Sequence, residues 1–531
     1  MNPLASTKCA GRLLMALAAI SSILLTVGCG SSSPTSVPPP GGGFSDSNLS
    51  GTYVFSLTGA DASGAPVVVA GALVANGSGG IKGGTMDIVD AEFTPPSPVA
   101  QAITGGSYSV GVDGRGQAEL ASTSSLGTSI TLDFVLTSSS HGLVTEFDGN
   151  GTGSGTLDLQ TAVTSLSQLA GPYAFSLAGV DANGNPDATA GAFTLDQGGN
   201  ITAGVQDFND DGFPYLKLMI NPVAAAVLGT GTGPGKITLN TSTFNSLTFD
   251  FYPIDSTHLK FIETDYTNAL LAGDVFTQTG ASIPTGTMVF TLAGLDSSGP
   301  VAAGGLMTSD GTGKFTVGLE DVNNAGAVSP AQVSFSGSPD AAASGPVGGR
   351  VIVNLSGFLP ATQWVIYPSS GGLLLLETDS GALTSGTGYA QTSTTLAASQ
   401  GYGLNLSAIN LGSGLGTFEE DDIAEFTTTS TGFSGFVDLN DQGTLTFDKS
   451  LTGSYPFPVD STGRGGATTN YFNYYFYVVN SNTFLLLEVD SNQIGVGTFE
   501  AQSASSSAAA VHPAISMIRP VGRSHAALRG K

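Results

Sequence analysis

Carboxylate pairs are the residues best placed to do chemistry in this chain, and they recur at regular intervals. Four times an apolar run ends in Glu-x-Asp: Glu146/Asp148, Glu263/Asp265, Glu377/Asp379 and Glu488/Asp490. Residues i and i+2 share one face of a strand. Acid–base work would need a further carboxylate across a cleft. Recurrence in every copy favours a structural role instead, with the carboxylate accepting backbone N–H groups at a strand end. Asp207-x-Asn209-x-Asp211-Gly212 has the alternate oxygen ligands and sixth-position glycine that open a calcium loop. Its twelfth position is Leu218 where such a loop needs Glu, so a β-turn of good turn formers is the favoured reading. Asp181-x-Asn183-x-Asn185-x-Asp187 is read the same way. No metal and no other cofactor is expected.

His141 and His258 each lie five residues before the Glu of their copies. On one strand that spacing puts His and Glu on opposite faces, which argues against a shared zinc ion and for turn positions. No G-x-S-x-G elbow, P-loop, dinucleotide fingerprint or HExxH is present, so no catalytic residue is assigned. A hydrolytic cleft would be sought at Glu419, Glu420, Asp421, Asp422 and Glu425, a run that reads more simply as a solvated loop. The densest aromatic run places Tyr471, Asn473, Tyr475 and Tyr477 on one strand face and Phe472, Tyr474 and Phe476 on the other. One face fills a core. The other is an aromatic ribbon for glycan or protein, with Tyr471, Tyr474, Tyr475 and Tyr477 as candidate binding residues, or it packs on a neighbouring domain.

These residues sit on a repeat. Gly51-Thr-Tyr-Val-Phe-Ser-Leu57, Gly171-Pro-Tyr-Ala-Phe-Ser-Leu177 and Gly286-Thr-Met-Val-Phe-Thr-Leu292 open three copies, and Gly401 to Leu406 opens a degenerate fourth. The period-two alternation predicts strands with a core face and a wetter face. A second landmark is Asp87, Asp207, Asp321 and Asp438, followed two places on by Asn209, Asn323 and Asn440 in three copies. A last strand carries Gly155, Gly273, Gly386 or Gly497 five residues before Gln160, Gln278, Gln391 or Gln502. The Glu-x-Asp landmarks are 117, 114 and 111 residues apart, the size of a domain rather than of a solenoid repeat. Domains are therefore expected at 49–160, 169–279, 284–392 and 399–503, joined by short polar segments into a stiff rod. Eight or nine short strands separated by Gly, Asn and Asp turns predict an antiparallel meander in each. Included is a strand over Ala224–Gly229. Closure removes exposed edges, so the fold class is all-β with four tandem eight-stranded barrels; immunoglobulin-like β-sandwiches are the alternative. The scheme resembles calycin barrels such as lipocalins.

Residues 1–28 read as a signal peptide, with Lys8 and Arg12 before the apolar run Leu13 to Val27. The run ends in Thr26-Val27-Gly28-Cys29, which resembles the lipobox of bacterial lipoproteins. That resemblance implies diacylation of Cys29, membrane anchoring through the N-terminal lipid and an outer-membrane destination; secretion or periplasmic residence is the alternative. Residues 29–48 are a Ser/Pro/Gly-rich tether. Residues 504–531 form a basic, unstructured tail. Cys9 and Cys29 are the only cysteines, so no disulfide is expected in the mature domains. A net charge of −26 argues against nucleic-acid binding. The repeats resemble the tandem β-rich modules of bacterial surface lipoproteins. The expected function is non-enzymatic: a lipid-anchored envelope protein presenting β domains for binding or scaffolding. A carrier of small apolar ligands in the barrel interiors and a glycan-directed hydrolase or binder in the fourth copy are the alternatives.

Overall fold

The computed structural model describes residues 43–91, 100–122, 129–224, 226–241, 246–265, 269–342, 344, 347–412 and 418–505. All lie in one compact unit, Val37–Lys531. The signal segment, Cys29, most of the tether and the tail past residue 505 fall outside the described residues.

Each copy of the repeat folds as an antiparallel eight-stranded meander, three of them closed barrels and one a half-barrel. In the first, the strands are Ser50–Asp61, Pro66–Asn76, Gly80–Asp90, Gln101–Val110, Arg115–Ser122, Ser129–Leu136, His141–Glu146 and Gly151–Leu159. The eighth pairs with the first and closes the barrel. The fourth barrel runs from Gly401–Asn410 to Gln493–Ala501 in the same order. The third also closes, with the two-residue strand Ala327–Val328 hung on its third strand. The second stays open between Phe213–Met219 and Gly235–Asn240, where the bridges Ile220↔Thr241 and Val227↔Lys236 span the gap. Instead of the strand expected over Ala224–Gly229 there is the two-residue strand Val223–Ala224, which pairs with Asn200 and Ile201 before Val227 bridges to Lys236.

The interiors are packed. Tyr173, Phe175 and Leu177 point into the second barrel with Phe193, Phe249, Phe251 and Phe261. Trp364 fills the third against Phe358, their rings 4.6 Å apart. In the fourth, Phe484 stacks on Phe499 at 4.4 Å. The recurring glycine of the eighth strand is explained by closeness. A Cβ at Gly155, Gly273, Gly386 or Gly497 would stand 1.7, 2.2, 2.0 or 2.2 Å from a backbone carbonyl of the first strand.

The wetter outer face expected for the opening strands is dry where another barrel covers it. Val54 lies among Val68, Ala70, Ile262 and Leu270 between the first and second barrels. Ala174, Ala188, Ala190 and Ala192 meet Ile352, Val365, Leu374 and Leu376 between the second and third. Val289 and Ala302 meet Ile409, Leu485, Leu487 and Val496 between the third and fourth. The expected rod is not what forms. The first two strands of each barrel lie on the last three of the next, and the fourth barrel lies on the first in the same way. The four therefore make a closed ring.

Candidate functional site

The repeated polar residues are the clasps of this ring. Asp207 is fully buried and accepts two hydrogen bonds from Arg350 of the next barrel, both 2.7 Å, and one from the Tyr367 hydroxyl. Asp321 repeats this with Arg464, at 2.7 and 2.7 Å, and with Tyr477 at 2.7 Å. Asp438 of the fourth barrel takes Arg115 of the first at 3.4 Å. Arg115 also meets Asp113 at 3.1 Å and Asp448 at 2.9 Å. Asp87 takes the Tyr252 hydroxyl at 2.6 Å, while Lys236, which holds the arginine's place near the start of the fifth strand, turns to Asp250. Without a cation at contact, burial pushes the Asp87 carboxyl up to about 7.

The asparagines carry the same logic. Asn209 donates to the carbonyls of Glu377 and Ala382, Asn323 to those of Glu488, Asp490 and Gln493, and Asn440 to those of Glu146 and Gly151. Each holds the strand-end Glu-x-Asp corner of the following barrel. The glutamines complete the set. Gln160 donates to Pro253 O, Gln278 to Gly348 O, Gln391 to Thr462 O and Val478 O, and Gln502 to Asp113 O and Leu136 O. The residue after each glutamine adds a backbone bond in the same direction: Thr161 to Ile254, Thr279 to Pro368, Thr392 to Val479 and Ser503 to Thr137.

Several sequence expectations change accordingly. Asp207-x-Asn209-x-Asp211-Gly212, favoured as a turn, ends in one, with Asp211 in a left-handed position at φ 48°, but Asp207 lies on the strand before it, tied to an arginine, and Asn209 is tied to two carbonyls. The run Glu419 to Glu425 is no solvated loop but part of the strand Phe418–Thr428: Asp421 and Glu425 are buried at the seam between the fourth and first barrels, while Glu420 and Asp422 turn into the fourth barrel. Asp421 stands where the other copies have Val68, Ala188 and Ala302, and it accepts bonds from Thr152 and Ser154 at 2.8 and 2.6 Å. Of the aromatic run, Tyr474 fills the fourth barrel and Tyr477 is buried against the third. Tyr475 stacks under Arg464 at 4.3 Å, and Tyr471 is the exposed member. No free aromatic ribbon results.

The two histidines are not turn residues either. His141 is buried with Nδ1 2.6 Å from Asp158 and Nε2 3.2 Å from Glu500 of the fourth barrel. Burial alone would lower its pKa, but the two carboxylates prevail and hold it up at about 10. His258 and Lys260 both reach Asp274 at 2.6 Å. Burial opposes ionisation of Asp274, and these cations overcome it, setting its pKa down at about 2. Asp158 lies within the field of Lys260 and His258, and Tyr389 of the third barrel within that of Asp274 and Glu500. The first, second and fourth barrels thus contribute charged groups to these buried contacts, and the third places the Tyr389 hydroxyl in their field.

The Glu-x-Asp pairs divide their work. Asp148, Asp265 and Asp490 accept the backbone N–H of Thr131, Thr248 and Asn473 at 3.0, 2.8 and 2.7 Å, and Asp379 accepts that of Thr362. Each anchors the start of its own sixth strand. Each Glu turns into the end of its barrel and is buried. Burial first, then neighbouring carboxylates, push Glu146 up to about 8. Burial does the same for Glu377 against its bond from Thr384, also to about 8. At the third barrel the end is an open cleft of about 370 Å³ lined by Asp296, Thr362, Glu377, Asp379 and Ser380. At the first it is a cavity of about 80 Å³. Among the described residues no group of three or more His, Cys, Asp or Glu is placed to hold a metal ion. The signal for the clasps was in the sequence as the repeated Asp, Asn and Gln. Their partners were not, because Arg350 and Arg464 lie outside the repeated landmarks.

No protein family matches this sequence, and no curated protein does.

Proposed function

We propose that this chain is a non-enzymatic, lipid-anchored protein of the bacterial cell envelope that presents its four barrels as a rigid binding or scaffolding platform. One observation carries the reading: three sets of recurring polar residues are spent on joining barrel to barrel. Asp207, Asp321 and Asp438, Asn209, Asn323 and Asn440, and all four glutamines reach the next barrel rather than a shared cleft. Packed interiors favour a platform over a carrier that would store apolar ligands inside the barrels. The lipid anchor rests on Cys29 in its lipobox-like setting and on the Ser/Pro/Gly tether that follows.

The test expresses the full chain and Cys29→Ala in a bacterium fed a palmitate analogue. The wild type takes up label and sediments with membranes, whereas the variant is unlabelled and soluble. Label retained by Cys29→Ala, or a wild type found only in the soluble fraction, overturns the anchored reading.

A further inference from the structure

The first barrel differs from its fellows at the end where Glu146 turns inward. Its cavity is floored by Val67, Val69, Met86, Ile88 and Ile130 and rimmed by Asp61, Asp90, Glu146 and Asp148. In the second barrel the register puts Asp187 and Thr189 where Val67 and Val69 stand, and in the fourth it puts Glu420 and Asp422 there. Those barrels fill the layer with polar groups. In the third barrel Thr384 donates to Glu377 at 2.8 Å. The corresponding residue of the first barrel is Gly153, opposite Gly59 as Thr384 is opposite Gly294. Glu146 is 8 % exposed, lines the cavity, and accepts no side-chain hydrogen bond from any other described residue. Among the described residues none that lines the cavity is basic. A buried carboxyl without a partner above an apolar floor is half of an ion pair.

We propose that this end of the first barrel binds a small organic cation, its ammonium group on the Glu146 carboxylate and its short hydrocarbon body against Val67, Val69, Met86, Ile88 and Ile130. The size of the body follows from the volume. At about 80 Å³ the cavity is roughly half of an engineered apolar cavity of ~150 Å³ that takes benzene, so a chain of a few carbons fits. A hydrated divalent ion suits the site less, because five apolar side chains cannot satisfy its water shell. Among the described residues the charged groups around Glu146 are acidic. Asp61 is tied to the turn at Ser63 and Ala65, Asp148 to Thr131 and Asn150, and Asp421 to Thr152 and Ser154; Asp90 completes the set. Their field favours the cation. Glu146 holds a proton until about pH 8 when alone, so seating an ammonium ion there releases that proton.

The experiment titrates the full-length lipidated protein in detergent with n-butylammonium chloride by calorimetry, in two buffers of different ionisation heat. Butylammonium is expected to saturate one site per chain, to bind more tightly at pH 9 than at pH 6, and to release a proton at pH 7. Glu146→Gln should weaken it at least ~10-fold, and Val69→Phe, which fills the floor, should do likewise. Glu263→Gln, at the matching place in the second barrel, should leave it unchanged. Absence of saturation, equal binding of n-butanol, or full binding by folded Glu146→Gln overturns the proposal. Calcium bound with the same dependence on Glu146, where butylammonium is not, replaces it with an inorganic cation site.

Discussion

Arg350→Met removes the cation from the clasp between the second and third barrels, and its cost can be reasoned from the contacts. Asp207 is fully buried, and Arg350 is 3 % exposed. The pair shares two parallel bonds of 2.7 Å, the bidentate geometry that makes arginine–carboxylate pairs strong. Without the guanidinium, Asp207 keeps only the Tyr367 hydroxyl and the Lys217 N–H. A buried charge stripped of its partner destabilises by about 3–5 kcal/mol. Adding Asp207→Asn removes the stranded charge and should restore at least ~2 kcal/mol of that loss, a coupling that a double-mutant cycle measures. Denaturant unfolding gives the energies. Hydrogen exchange gives the place, with faster exchange in Pro186–Leu195 and Gln363–Ser369, the strands that meet there. Arg115→Met at the seam should cost less, because Asp448, one of its partners, is half-exposed. A loss below ~1 kcal/mol for Arg350→Met, with the two substitutions strictly additive, would refute the clasp as a source of stability.

Stability should depend on pH in an unusual direction. Glu146 and Glu377 have folded pKa values raised to about 8, and Glu320 to about 9, so each binds its proton more tightly when folded. Their contribution therefore falls as pH rises from near 4.5 to their folded values. His141 adds stability that is complete below about 6.5 and lost as pH climbs through 10, while that of Asp274 is lost as pH falls through 2. The melting temperature should peak near pH 4–5 and decline by pH 9; a rise over that range in thermal scans contradicts the assignment. Gly386→Ala puts a Cβ 2.0 Å from the Thr291 carbonyl and should cost about 1–3 kcal/mol in denaturant melts; no cost would mean the first and eighth strands can part freely.

The barrel strands were legible because one face of each is large and apolar and the turns are punctuated by Gly, Asn and Asp. Tyr173, Phe175 and Leu177 needed only their alternation to be placed inside. Local patterning said nothing about the outer face, since Ala174, Ala188 and Ala190 look the same against water as against a neighbouring barrel. Asp421 and Asp422 were read as solvated because charge usually is. In the fourth copy Asp421 takes over the role that Val68 plays in the first, and its partners Thr152 and Ser154 of the first barrel reveal it. The recurring Asp, Asn and Gln were visible as landmarks, but a sequence lists residues in one dimension and a clasp joins residues more than a hundred positions apart. In the sequence Glu146 is one of four equals. The missing hydroxyl at Gly153 and the apolar floor that set it apart became readable only once strand register was known.

The contact of the fourth barrel with the first has the same sense as the other three, so the structure is a head-to-tail association that closes after four units. That is the geometry of a cyclic homotetramer, written here into one polypeptide. Three of its joints carry a covalent link and one does not. At the joint without a covalent link the two ends of the folded region meet, with Asn48 Nδ2 3.1 Å from Ala504 O. Where the chain begins is thus a choice among four equivalent positions, and joining residue 504 to residue 48 while opening the chain between the first two barrels, over 162–168, should give a circular permutant of the same ring. The joint without a tether also differs in chemistry, since Asp421 and Glu425 stand there where the other joints have apolar residues.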